Sequence, residues 1–289
     1  MLGLRSFISA CGFVVVAVVA LPASVADMAP GDGAAAPESD PAALAESGDD
    51  RPRSIDGPPL AVHAAVGRIT GTMVCTAAIV LHPRIIITAA HCLTGQDGML
   101  SRARATFQPA RRAGLELDRF EASVWAIGAP QRPTGQSAHE AANDWAILVL
   151  DREPMGVRPV PMQSLSVHDL TQLERQVLMP SYASDDAGVV ALSVDPACSV
   201  RGAMWNVLLH DCRASAGASG APLLIPDGQW YALVGVHSSS IAIVDADNGA
   251  STFVRYSAIG TWAFAAAIEK LSERLNSGGD PLVSTALAH

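Results

Sequence analysis

What this chain does not contain narrows its function before any motif is read. It has no Lys/Arg-rich run and its formal net charge is −9, so neither nucleic acid nor an anionic membrane surface is expected as a main partner. Its longest apolar run, Phe7 to Leu21, is about 15 residues, short of the roughly 20 that a bilayer crossing needs. There is no CxxC or HExxH spacing, which leaves no basis for zinc or another metal, and no cofactor is expected. Residues 27 to 58 hold no aromatic residue and no apolar period. Such a stretch cannot bury enough surface to offset its ordering entropy, and it reads as a flexible acidic pro-segment or linker.

What is present begins with the amino terminus. Arg5, the apolar run, Pro22 and the small residues Ala23-Ser-Val-Ala26 read as a signal peptide, residues 1–26, removed after Ala26 rather than kept as an anchor. The protein is then secreted or periplasmic, with no stable membrane insertion after signal removal. Ile8-Ser-Ala-Cys11 looks like a lipidation site, but its cysteine precedes the apolar core instead of following it. If Cys11 leaves with the signal, Cys75, Cys92, Cys198 and Cys212 remain, and three disulfide pairings stay open. From Ala61 onward short apolar runs alternate with turn residues, as an all-β body requires. Val74 to Leu81, Arg84 to Thr88 and Trp145 to Leu150 read as strands, and residues 151 to 165 as a connector. Further strands are expected at Gln176 to Met179, Gly188 to Val194, Met204 to Leu209, Ala221 to Ile225, Trp230 to His237 and Ser251 to Val254. Ser257 to Leu275 approximates helical spacing.

Three short segments carry chemistry. Ala90-His91-Cys92 lies after an apolar strand, Asn143-Asp144 precedes another, and Gly217-Ala-Ser219-Gly-Ala-Pro222 sets a serine between glycines. A serine hydroxyl is a weak nucleophile at neutral pH, so Ser219 needs a base. His91 can take its proton and later return one to the leaving group, while Asp144 holds the imidazole in the productive tautomer. Gly217 and Gly220 let a carbonyl approach the backbone closely, where the N–H groups of Gly217 and Ser219 would meet a developing oxyanion.

The order His, Asp, Ser and its motifs resemble the chymotrypsin and trypsin family of serine proteases, more closely the bacterial branch that includes the glutamyl endopeptidases. The resemblance spans residues 60 to 275 through Val74 to Val80, Thr88 to Cys92, Asn143 to Leu150, and Asp211 to Leu224 with Val234 to Ser238. It implies two six-stranded antiparallel β-barrels, residues 59–155 and 156–280, with a C-terminal α-helix packed on the second. It also implies an exported serine endopeptidase that acts on protein or peptide substrates through an acyl-enzyme. Cys75 would pair with Cys92 and Cys198 with Cys212. Ser238 would support Asp144, and Ser238 to Ser240 would line the edge where an extended substrate adds as a strand.

Two departures stand out. Ala218 occupies the place of the aspartate that pairs with a new N-terminal ammonium in trypsin-like enzymes, so removal of a pro-segment cannot switch the site on through that ion pair. Arg213 stands where trypsin selects basic side chains, and His237 matches the histidine with which glutamyl endopeptidases hold an acidic one. A guanidinium and an imidazole together would favour cleavage after Glu or Asp. His63, His82, His139, His168, His210 and His289 show no partner spacing and read as surface or structural. The rival reading is a catalytically inactive binding protein on the same fold.

Overall fold

The computed structural model describes residues 14–19, 53–54, 61–95, 98–110, 118–128, 142–184, 190–204, 206–245 and 251–281. Short β-branched runs form a first, closed barrel from β3 (Val66–Thr70), β4 (Val74–Ile79), β5 (Ile85–Thr88), β6 (Arg104–Pro109), β7 (Phe120–Ile127) and β8 (Ala146–Leu150), paired in the order β3-β4-β5-β8-β7-β6. Every residue of β5 and β8 is buried. Their continuous apolar runs are the signature of strands covered on both faces. One cover is α2 (Ala265–Asn276), whose Ile268 and Leu271 join Ile85, Ile86 and Ile87 in one apolar cluster.

The second body is a sheet of β9 (Val177–Ser184), β10 (Val190–Cys198), β11 (Val200–Met204), β12 (Val207–His210), β13 (Pro222–Asp227), β14 (Trp230–Asp245) and β15 (Ser251–Gly260). Its order is β11-β12-β15-β14-β13-β9-β10. Only Ser199 separates β10 from β11. The two ends of the sheet are therefore one stretch of chain, and the sheet curls round on itself. Helix α1 (Val167–Gln172) lies in the connection between the bodies, its first turn capped by the Ser166 side chain, which accepts from the Asp169 amide at 3.1 Å.

Two expectations need correction. Ser257 to Gly260 is the end of β15, not a helix start, because Val207, Leu208 and Val236 take it into register as a paired strand. The terminal helix shares its apolar cluster with the first barrel, since its buried face meets β5. Residues 151–165 are a connector without helix or strand, as expected, and lead into α1. Of residues 1–26 the described part is β1 (Val14–Val19), which runs parallel to Ser240–Asp245 of β14. Of residues 27–58 it is β2 (Arg53–Ser54), which pairs with Val194 and Ser193 of β10. The rest of both segments, with His139 and His289, lies outside the described residues.

Cys75 is bonded to Cys92 and Cys198 to Cys212, the pairing that the resemblance implies. The bridges close loops of 17 and 14 residues. Each is worth about 3 kcal/mol in the chain-entropy account, set against a total of about 5 to 15 kcal/mol for a domain.

Candidate active site

His91 sits on a short 3-10 turn, Ala90–Cys92, immediately after β5. The Cys75–Cys92 bridge ties that turn to β4, and Thr72 donates its amide and its hydroxyl to the Cys92 carbonyl, each at 2.9 Å. Asp144 is placed by β8: Trp145, next in sequence, is buried and packs on Phe264 with ring centroids 6.2 Å apart. The two side chains meet. His91 Nδ1 lies 2.7 Å from Asp144 Oδ2, and the His91 amide donates to Oδ1 at 2.9 Å. Ser238 donates its hydroxyl to the same Oδ2 at 2.5 Å.

Burial would pull the His91 pKa down, but the charge of Asp144 and its hydrogen bond outweigh this and hold it above the ordinary 6.5. For Asp144 burial works upward, yet the neighbouring imidazole and the hydrogen bonds from His91 and Ser238 bring its carboxyl down to about 2. The carboxylate is charged throughout the working range, and the proton resides on histidine.

Ser219 enters from the second body. Its hydroxyl donates to the carbonyl of Ser238 at 3.4 Å. Ser238 therefore touches both partners, Asp144 through its side chain and Ser219 through its backbone. Gly220 explains why a glycine must follow: a Cβ there would lie 2.1 Å from the Thr76 carbonyl oxygen and 2.2 Å from Thr88 Oγ1, and its φ is +82°. Gly217 likewise has φ of +97°. Among the described residues neither the Gly217 nor the Ser219 amide donates to a protein acceptor. Both are available to an incoming oxygen. Ala218 is fully buried and carries no polar atom on its side chain.

Of the expected specificity residues, His237 and Ser238 lie with the charged dyad. Arg213 donates its amide to Asp195 Oδ2 at 2.8 Å and lines a cavity of about 280 Å³ with Arg175, Asp195, Arg201 and Asp211, which includes neither His237 nor Ser219. Ser240 is half-buried on β14, opposite Tyr256 of β15. Two participants were not expected. His210 is completely buried, with Nε2 3.1 Å from His237 Nδ1, and its Nδ1 accepts the Cys212 amide at 3.2 Å. Of the two readings offered for it, surface or structural, the buried structural one holds. Tyr256 packs at a centroid distance of 5.8 Å from both imidazoles and donates its hydroxyl to the Ala214 carbonyl at 3.2 Å.

Burial lowers the His210 pKa to about 3 despite the Ser257 backbone contact. His237 is also driven well below 6.5, first by burial and then by His210 and His91, with Asp144 and Ser257 acting the other way. Both imidazoles are neutral at physiological pH, so any acid recognition by them uses the N–H dipole of a neutral imidazole. Folded pKa values lie below the unfolded one, so the stability these residues contribute is complete above about pH 6.5 and erodes as pH falls toward their folded values. Between pH 6.5 and 4, urea unfolding should lose at least about 1.4 kcal/mol more in the wild type than in His210→Asn, the equivalent of one pKa unit. Parallel curves for the two proteins would contradict this assignment.

The Cys75, His91 and Cys92 side chains lie close enough together to suggest a metal. Both sulfurs are committed to a disulfide, so neither is a thiolate ligand.

The model of the trypsin-like peptidase domain matches residues 75–236, more than half of the chain. The chain belongs to the trypsin-like peptidase family. No curated protein matches this peptidase. Among solved structures it is similar to a Glu endopeptidase in complex with MPD, with a TM-score of 0.58 and 20% identity over 78% of this chain and 98% of that one. That similarity establishes the two-body architecture, and family membership makes the peptidase a serine protease, a hydrolase of peptide bonds.

Proposed function

We propose that the chain is an exported serine endopeptidase in which Ser219 attacks the scissile carbonyl, His91 takes the serine proton, and Asp144 holds the imidazole. The observation that carries this is Ser238, whose hydroxyl binds Asp144 and whose carbonyl receives Ser219, so that acid and alcohol meet on one residue while His91 is held on the same carboxylate. The amides of Gly217 and Ser219 would receive the oxyanion, and the acyl-enzyme is then released by water activated through the same histidine. The dyad and the nucleophile together disfavour the inactive binding protein. An extended substrate would add along Ser238 to Ser240 as a strand.

The cleaved bond is read as following Glu, with Asp second. His210 accepts at Nδ1 and so holds its proton on Nε2, facing His237. With that proton donated to Nδ1, neutral His237 carries its own on Nε2 as a donor for a substrate carboxylate. Arg213 would add a guanidinium as a second partner for the substrate carboxylate. The Glu endopeptidase of similar fold is consistent with this reading. Export is supported by the run Phe7 to Leu21 and by two disulfides.

Cleavage of a peptide library by the secreted protein tests the specificity. Glu is expected at the cleaved position at least about tenfold over Gln, a discrimination that His237→Ala reduces to near unity. A preference for Lys, Arg or large apolar residues would reject it.

A further inference from the structure

Thr76 stands in the middle of β4, where a β-branched residue reads as packing. It is fully buried, and its hydroxyl is committed in both directions. Oγ1 donates to the Gly217 carbonyl at 2.9 Å and accepts the Tyr182 amide of β9 at 2.8 Å. The backbone of the same residue is used as well: its amide donates to the Ser219 carbonyl at 2.8 Å, and its carbonyl accepts the Thr88 hydroxyl at 2.7 Å.

The peptide planes of the loop show what this does. The Gly217–Ala218 plane is held at its carbonyl by Thr76 Oγ1 and at its N–H by the Ser215 carbonyl, 3.0 Å away. The Ser219–Gly220 plane is held at its carbonyl by the Thr76 amide and at its N–H by the His237 carbonyl at 2.8 Å. Between and before them lie the planes that carry the Ser219 and Gly217 amides. Fixing alternate planes fixes the direction of those two N–H groups. Ala218, the intervening side chain, has no polar atom with which to anchor the loop from within.

We propose that Thr76 is a positioning residue through which the first barrel sets the oxyanion-binding amides of the second. Its backbone amide can be supplied by any residue other than proline; its hydroxyl cannot. Removing the hydroxyl leaves the part-buried Gly217 carbonyl and Tyr182 amide without this partner, and the loop then samples orientations in which the Gly217 amide turns away. The nucleophile, the base and the acid are untouched by this change.

The inference rests on Ser219 being the nucleophile, and the test separates the two. The second-order rate of labelling by a fluorophosphonate is measured across pH, because the reaction places a phosphoryl oxygen where the oxyanion would sit and needs no knowledge of the substrate. Thr76→Val is expected to label about 10- to 100-fold more slowly at every pH, with the inflection of the profile unmoved, since the His91–Asp144 pair is intact. Thr76→Ser, which keeps the hydroxyl, should recover to within about threefold of wild type. If Thr76→Val does not fold, Thr76→Ala against Thr76→Ser makes the same comparison. A Val variant labelled within twofold of wild type, an equally impaired Ser variant, or a displaced inflection would each overturn the proposal. Absence of labelling in the wild type would instead remove the assignment of Ser219.

Discussion

Replacing Ser219 with alanine is expected to lower peptide hydrolysis by about 10⁵- to 10⁶-fold and to leave the folded protein intact. The loss is large because base, acid and oxyanion amides act through one attacking oxygen, and a methyl group offers nothing in its place. What remains is rate enhancement from binding and from the amides alone, typically 10³ to 10⁴ over water. The fold should survive because the serine side chain makes a single long contact, 3.4 Å to the Ser238 carbonyl, while the loop is held through backbone groups that alanine retains. Initial rates on a peptide pool with mixed residues at the cleaved position, beside a thermal unfolding curve, measure both. Activity above about 1% of wild type in the alanine protein would show that another nucleophile does the work.

Asp144→Asn is expected to lower kcat by about 10⁴-fold and to shift the pH dependence in a definite direction. Hydrolysis requires neutral His91 and so rises with pH through the His91 pKa. In the wild type that pKa lies above 6.5, because Asp144 outweighs the desolvation that would lower it. An amide removes the charge and leaves desolvation unopposed. The acidic limb of kcat/KM should move to lower pH even as the plateau collapses. The amide can also donate where the carboxylate accepted, which turns the imidazole toward the tautomer that cannot take the serine proton. A plateau within tenfold of wild type, or a limb that stays in place, would show that Asp144 is only a structural acid at the start of β8.

These expectations follow from side chains that the sequence displays unevenly. His91, Asp144 and Ser219 are legible because each sits in a local signal: a turn after an apolar strand, an acid before one, a serine between glycines. Their meeting depends on strands far apart in the chain, and only the recognised order of motifs anticipates it. His210 carries no such signal, His237 only the resemblance at Val234 to Ser238, and Tyr256 none. They stand on β12, β14 and β15, and become neighbours only when His210 falls opposite Tyr256 in register. Their burial also sets the chemistry, since it keeps both imidazoles neutral. Thr76 is hidden for another reason: a threonine in a strand is ordinary, and its hydroxyl gains meaning only from a loop some 140 residues away.

The secondary structure divides in the same way. Continuous apolar strands such as β8 are readable, being covered on both faces. β6 and β7 escape notice because their exposed and buried residues mix without strict alternation. The end of β15 imitates a helix, since Ile259 and Trp262 stand three apart, and only pairing with β12 and β14 decides for a strand.

The most direct measurement is the position of a covalent adduct. The purified protein is treated with a fluorophosphonate, digested, and the modified peptide mapped by mass spectrometry. The adduct is expected on Ser219 alone, forming faster as pH rises through the His91 pKa. Modification at another residue, or none at all in protein that unfolds cooperatively, would contradict a site built from His91, Asp144 and Ser219.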